Sequence, residues 1–187
     1  MWLTFLLAAA AVVSAPAAAA PAPQSHANCL TYPGEAPHGA PSFSQYPARQ
    51  VARRKSAPIH LERRTDAWLY RTVLREGYGD GQPDFAGHYR IVTWGCGTGC
   101  VAHAVVDVMT GRVIFDPFMD RAGAGAQFPI YGFTDYRLGS RLFVALGAMD
   151  QGSSNDNEGI EYLLWTGKWF VPIAFFPDVW ICQNLER

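Results

Sequence analysis

Residues 85–100 of the chain read Phe-Ala-Gly-His-Tyr-Arg-Ile-Val-Thr-Trp-Gly-Cys-Gly-Thr-Gly-Cys. The part from His88 to Cys96 is rich in β-branched and aromatic side chains, and Gly97-Thr98-Gly99 separates it from a second apolar run, 100–108. Two such runs joined by three residues that include glycine predict a β-hairpin. We therefore expect this hairpin to form the centre of the fold.

The alternation of side chains along a strand predicts which residues of the hairpin share a face. A regular three-residue turn places Cys96 opposite Cys100. The pairs predicted for the other face are Tyr89–Asp107, Ile91–Val105 and Thr93–His103. His103 is thus expected to point away from the cysteines. His88 shares their face but lies eight residues from Cys96, which is about 26 Å at 3.3 Å per residue.

Three interpretations of Cys96 and Cys100 stay open: a structural disulfide, a redox or nucleophilic thiol pair, and a soft-metal site. A nucleophilic cysteine needs a base within hydrogen-bond reach, and a zinc or copper site at this turn needs a nearby histidine. Neither histidine meets that need in a regular hairpin. A bulge, or a distant ligand such as Met109 or Met119, would restore the metal site. We favour the disulfide.

The amino-terminal residues predict export. Residues 2–13 form an apolar run, and small residues of a signal-peptide cleavage zone follow it. About twelve apolar residues are too few to span a bilayer, so residues 1–20 are interpreted as a signal peptide and the mature chain as periplasmic or extracellular, with no transmembrane segment. In an oxidising compartment disulfides are expected among the four cysteines, with three possible pairings. These are Cys29, Cys96, Cys100 and Cys182.

Composition divides the remaining chain into two parts. Residues 21–58 are rich in Pro, Ala, Ser and Gly without a sustained period, which predicts a loosely ordered arm. Residues 59–187 are expected to form a single α+β domain. A chain of 187 residues with 49% apolar composition and a net charge of -1 suits one globular unit.

A helix is predicted from Thr65 or Asp66 to about Glu76, where Gly77 follows. The helical period assigns its core face to Ala67, Leu69, Tyr70, Val73 and Leu74. The other side carries the stripe Arg64, Trp68, Arg71 and Arg75. A solvated face is the favoured interpretation of this stripe. The alternative is a contact surface for anionic lipid headgroups or an anionic polysaccharide.

After Gly81 the pattern changes to short strands joined by turns. Strands are predicted at 88–96, 100–108, 112–115, 136–138, 141–146, 160–165 and 168–176, and a Gly/Ala-rich loop at 121–127. Pro172 is expected to place its strand at an edge or a bulge. The fold class is therefore α+β, with one N-terminal helix packed on a mostly antiparallel β-meander. Because several strands are apolar on both faces, the sheet must be covered on both sides or curl toward a partial barrel.

The hairpin also suggests a polar cleft. Tyr89 opposite Asp107, with His103 and His88 as further candidates, forms such a cluster, although a cross-strand hydrogen bond would explain the pair equally well. No hydrolase, metalloprotease, phosphate-loop or dinucleotide motif occurs in the sequence. We assign no catalytic residue, expect no metal or cofactor, and expect no nucleic acid partner.

Three segments resemble a group of small exported bacterial proteins without an established activity: 84–89 with its FAGHY motif, 94–100 with its WGCGTGC motif, and 107–113. The hairpin at 162–168 is similar to that group too, and the resemblance spans roughly residues 63 to 170. It implies an exported, β-rich domain and assigns no activity.

These observations favour an exported, non-catalytic binding or envelope-associated protein. Its partner would be a protein or an anionic envelope polymer. The alternative is a periplasmic thiol-redox or metal-handling protein that uses the Cys96–Cys100 loop.

Overall fold

A computed structural model describes residues 36–51, 55–97, 100–116, 122–123, 134–148 and 158–177. The signal peptide predicted at 1–20 lies outside these residues. Within them the chain forms one 3₁₀ turn, two short helices and eight strands. These are the turn Phe43–Gln45, α1 (Asp66–Leu69), α2 (Arg71–Tyr78), β1 (Tyr89–Gly97), β2 (Cys100–Asp107), β3 (Val113–Ile114), β4 (Ala122–Gly123), β5 (Thr134–Tyr136), β6 (Leu142–Ala148), β7 (Glu158–Trp165) and β8 (Phe170–Pro177).

The described strands pair in antiparallel fashion in the order β1-β2-β4-β6-β7-β8, while β3 pairs with β2 and β5 pairs with β6. The prediction of a mostly antiparallel β-fold is confirmed. Strand β4 lies in the segment predicted as a Gly/Ala-rich loop. It bridges two halves of the sheet, β1–β3 and β5–β8, through pairs with β2 and β6.

The hairpin β1–β2 follows the predicted register along most of its length. The pairs Tyr89–Asp107, Ile91–Val105 and Thr93–His103 are all present. The predicted pairing of Cys96 with Cys100 is wrong, because the register shifts between Gly95 and Gly97 and Gly97 takes the position opposite Cys100. Cys96 is therefore the extra residue of a β-bulge.

The two faces of the hairpin enter two different cores. On one face Val92, Ala104 and Val106 pack with Leu74 and Tyr78 of α2. On the other face Tyr89, Ile91 and Val105 meet residues of the second half of the sheet. These are Phe143, Ala145, Leu163, Trp165 and Phe170. The parity of the hairpin thus separates an outer core beneath the helices from a central core between the two halves.

The predicted single helix is divided at Tyr70 into α1 and α2. Tyr70 has φ -93° and ψ 17°, which is a turn conformation and changes the direction of the helix. The buried positions are consequently Ala67, Leu74 and Tyr78. The assignment of Leu69 to the core face is wrong, since 67% of this residue is exposed.

The described part of the segment predicted as a loosely ordered arm is hydrogen-bonded to the domain. The amide of Ala48 donates to Gly139 (2.9 Å) and that of Ala57 to Val108 (2.9 Å). Ala40, Phe43 and Tyr46 pack on the outer face of β6 and β7, and Ile59 and Leu61 pack beside α2. The arm therefore covers the apolar outer face of β6 and β7, and the two residues Ile59 and Leu61, which follow the arm, pack against the core beside α2.

Strand β8 is the last in the order, and Pro172 lies at a register shift where Ile173 is the extra residue between the partners of Leu163 and Tyr162. The expectation that Pro172 marks an edge or a bulge is thus confirmed, because this residue lacks the N–H that a continuous ladder requires.

The turn formed by residues 85–89 connects the two halves of the sheet. Phe85 is fully buried in the central core. The amide of Gly87 donates to the carbonyl of Leu138 (2.7 Å), and the amide of Ala86 donates to that of Ser140 (3.2 Å). The FAGHY motif thus connects the two halves of the sheet through backbone hydrogen bonds and the buried Phe85.

Replacing Gly87 by alanine is expected to lower the free energy of unfolding by about 2 kcal/mol. Gly87 has φ +89°, and a Cβ at this position would lie 2.2 Å from the Arg49 carbonyl oxygen. Gly139→Ala is the matched control, because its Cβ would meet only the Gln50 side chain at an ordinary 3.5 Å. Urea unfolding of both variants measures the difference. Equal losses would contradict the structural role of Gly87.

Candidate functional site

A cleft of about 710 Å³ opens where the arm crosses the 85–89 turn. Three kinds of segment form its walls: the arm, the loop before β1, and the turns after β2 and β5. The lining residues are Gln50, Val51, Ser56, Gln82, Pro83, Gly87, His88, Val108, Met109 and Leu138. The cleft combines amide side chains, apolar side chains and one imidazole. That composition is common in sites for small ligands.

Among the described lining residues of this cleft, His88 is the titratable one. Its Nε2 lies 3.9 Å from Oδ1 of Asp107, and its ring lies on the ring of Tyr89 with centroids 4.2 Å apart. The carbonyl of His88 accepts a hydrogen bond from the Val108 amide at 3.1 Å. The imidazole thus contacts an aromatic ring and lies near a carboxylate, at a distance longer than a hydrogen bond.

Asp107 also organises the turn that follows β2. Its Oδ1 accepts from the Met109 amide (2.8 Å) and its Oδ2 from the Thr110 hydroxyl (2.9 Å). Aspartate commonly stabilises a turn by bonding to backbone two residues further on. The carboxylate therefore has a set position before any ligand arrives, and His88 is oriented against it.

Two tyrosines lie close to this pair. Burial raises the pKa of Tyr89, and the negative charge of Asp107 raises it further. Burial and Asp107 likewise raise the pKa of Tyr78, whose hydroxyl donates to the Ala57 carbonyl at 2.7 Å. Both phenols thus stay protonated at neutral pH. Tyr78 fixes the arm beside the cleft, and Tyr89 supports the imidazole of His88.

His103 has surroundings different from those of the other predicted cleft residues. It is buried, its Nδ1 lies 2.8 Å from the Thr93 hydroxyl, and its ring contacts Phe143 at a centroid distance of 5.9 Å. Burial lowers the pKa of His103 to about 4, so the ring is neutral at physiological pH. The structure therefore brings His88, Tyr89 and Asp107 together and places His103 in the protein interior.

The cysteines are described only in part. Cys96 is exposed at the bulge of β1. The backbone of Cys100 pairs with Gly97. Cys29 and Cys182 lie outside the described residues, so the pairing stays a prediction. Within the described ranges no group of three His, Cys, Asp or Glu side chains could hold a metal ion.

The predicted cationic stripe is rearranged around Trp68. The guanidinium groups of Arg71 and Arg63 both lie over the Trp68 ring, at 5.1 and 5.2 Å from its centroid. Arg64 has φ +69° in the turn before α1 and is exposed. Arg75 is exposed one helical turn beyond Arg71. Sequence periodicity did not indicate the contribution of Arg63, because this residue precedes the helix.

Most of the cleft lining was not predicted from the sequence. Gln50, Val51 and Ser56 belong to the arm, whose composition indicated little order. Ser56 donates to the Gly81 carbonyl at 2.7 Å, which is a contact between residues far apart in sequence. For the wall of the cleft at Leu138, the sequence predicted only a turn, from the glycine at Gly139.

Comparison with protein-family models, with curated proteins and with solved structures finds no match to this chain. Among the described residues, no helix has the length and apolar character needed to cross a membrane.

Proposed function

We propose that this chain is an exported, non-catalytic binding protein that holds a small polar ligand in the cleft beside His88. The observation that carries the proposal is the position of His88. Its ring contacts the ring of Tyr89, its Nε2 lies 3.9 Å from the Asp107 carboxylate, and 27% of its side chain remains exposed at the cleft. A side chain oriented in this way loses little conformational freedom when it binds a ligand.

The lining favours a neutral ligand with both polar and apolar parts, such as an oligosaccharide or a short peptide. The amides of Gln50 and Gln82 can each donate and accept hydrogen bonds. Val51, Val108 and Met109 offer apolar surface in the same cleft. No Lys, Arg, Asp or Glu is present among its described lining residues, so a strongly charged ligand would lack a counter-charge.

The chemistry of the cleft supports binding more than catalysis. A histidine beside a carboxylate activates a side-chain nucleophile only when a hydroxyl or thiol lies within hydrogen-bond reach. The hydroxyl in the described lining is that of Ser56, and it donates its proton to the Gly81 carbonyl at 2.7 Å. It thus serves to hold the arm in place.

NMR titration of histidine-labelled protein with neutral oligosaccharides and short peptides tests the proposal. A ligand of the cleft is expected to shift the His88 resonances and to leave those of buried His103 unchanged. His88→Ala should then weaken binding about tenfold, which corresponds to the net loss of one hydrogen bond and one ring contact.

His60→Ala is the matched control, because His60 is exposed and is not among the lining residues of the cleft. Its affinity for the same compound should equal that of the unaltered protein. If the ligand shifts the resonances of other residues but leaves those of His88 unchanged, the assignment of the site is contradicted. Turnover of a ligand that is lost in His88→Ala would contradict the non-catalytic part.

We propose cleavage of residues 1–20 and a mature protein that is periplasmic or extracellular. We also propose that the N-terminal helical segment is a covering layer and that the sheet curls toward a partial barrel. The contact of Tyr89 in β1 with Trp165 in β7, at 5.2 Å between ring centroids, supports this curling.

A further inference from the structure

The surface around Trp68 combines exposed apolar area with positive charge. Leu69, at 67% exposure, is the most exposed of the large apolar side chains that the structure describes. Next to it, the guanidinium groups of Arg63 and Arg71 lie 5.2 and 5.1 Å from the ring centroid of Trp68. Arg75 follows Arg71 by one helical turn and is exposed. We call these five residues the Trp68 surface.

The described residues form no close ion pair with the arginines of the Trp68 surface. Residues 62–76 also contain Glu62, Asp66 and Glu76. Among the described residues, however, ion pairs within 4.0 Å involve His88, Arg90 and Arg137, and none involves an arginine of this surface. The guanidinium groups of Arg63 and Arg71 contact the indole face instead. Arg71 also donates one N–H to the Trp68 carbonyl at 3.0 Å. Its other guanidinium N–H groups and those of Arg63 remain able to bind an anionic oxygen.

The apolar component decides between two anionic partners. A soluble anionic polymer would need the guanidinium groups but would give Leu69 no apolar environment. A lipid surface offers both, since its phosphates lie next to the boundary with the acyl chains. Tryptophan also prefers this boundary, because its ring is apolar and its N–H is polar. Arginine binds phosphate in bidentate geometry.

We propose that the Trp68 surface docks the exported protein on an anionic lipid membrane. Leu69 and the indole edge of Trp68 enter the headgroup boundary, while Arg63, Arg71 and Arg75 bind lipid phosphates. The residues of this surface are separate from those of the cleft at His88. Membrane docking and ligand binding can therefore be tested independently.

Sedimentation of the mature chain with vesicles tests the proposal. Vesicles with about 30% phosphatidylglycerol are expected to bind the protein at low salt, and binding should fall as the salt concentration rises because surface charges become screened. Vesicles of phosphatidylcholine alone should bind it weakly. Arg75→Gln should weaken binding to the anionic vesicles about fivefold, since one basic residue near such a surface contributes about 1 kcal/mol.

Leu69→Ser should also weaken binding to the anionic vesicles, by about fivefold, because this side chain buries apolar area only at the membrane. Val171→Ser and Arg141→Gln are the matched controls, since both residues are exposed but lie outside the Trp68 surface. They should leave binding nearly unchanged, and circular dichroism should show that all variants stay folded. No binding to anionic vesicles would overturn the proposal. So would binding that Leu69→Ser does not weaken, or that a soluble anionic polysaccharide reproduces with equal affinity.

Discussion

Replacing Phe85 by alanine is expected to lower the free energy of unfolding by about 4 kcal/mol. Phe85 is fully buried, and four aromatic rings surround it. The centroid distances are 6.0 Å to Tyr136, 6.0 Å to Phe143, 6.3 Å to Trp165 and 5.9 Å to Phe170. Truncation leaves a cavity between rigid rings, which cannot collapse to fill it.

The same substitution also removes side-chain contacts that connect the two halves of the sheet. Phe85 packs against both halves, and its amide and carbonyl both pair with the backbone of Tyr89 at 2.9 Å. Urea unfolding of the mature chain measures the effect. Phe175→Ala is the matched control, because 43% of Phe175 is exposed, and its expected loss is about 1 kcal/mol. Similar losses for the two variants would show that Phe85 is not the centre of the core.

The register of the β1–β2 hairpin was predictable because strand alternation has a period of two. A single shift in pairing would move Val92 and Ile91 to the opposite faces, and both faces are apolar but meet different partners. The bulge at Cys96 was not predictable. Gly95 and Gly97 permit many backbone conformations, and the sequence around Cys96 does not indicate which of them the turn selects.

The arm and the helix break depend on contacts between distant residues. The Ser140 hydroxyl lies 3.0 Å from the carbonyl of Phe43 and 2.9 Å from that of Tyr46, nearly one hundred residues away in sequence. The local periodicity of the sequence does not predict hydrogen bonds between such distant residues. In the helix, the period of 3.6 residues identified Ala67 and Leu74 correctly. Leu69 was assigned wrongly because Tyr70 interrupts that period.

The cleft also depends on contacts that the pattern of a single strand does not predict. Tyr89 and Asp107 were predicted as opposite residues, and the structure pairs them. The Asp107 carboxylate, however, bonds to the Met109 amide and the Thr110 hydroxyl of its own turn. His88 lies 3.9 Å from it and belongs to the turn before β1, where strand parity does not apply. His103 shares the parity of Tyr89, but its neighbours come from β6, and sequence alone did not indicate that strand as its cover.

Acidification is expected to destabilise the protein through His103. Burial lowers the pKa of His103 to about 4 in the folded chain, and the unfolded chain has the ordinary value of about 6.5. Below pH 6.5 the unfolded state therefore binds the proton first. The stability associated with the neutral imidazole is complete above that pH and is lost as the pH falls from 6.5 to about 4. The total loss is on the order of 3 kcal/mol.

His103→Gln separates this effect from the other titrating groups. Glutamine can keep a hydrogen bond to the Thr93 hydroxyl, which lies 2.8 Å from Nδ1 of His103, and it carries no titratable proton. Urea unfolding between pH 7 and pH 4 should show a shallower loss of stability in this variant than in the unaltered protein, even if its stability at pH 7 is lower. His60→Gln is the matched control, because His60 is exposed in the folded chain. The same pH dependence in His103→Gln and in the unaltered protein would mean that His103 is protonated without cost in the folded state. The interior around Phe143 would then have to admit water to that imidazole.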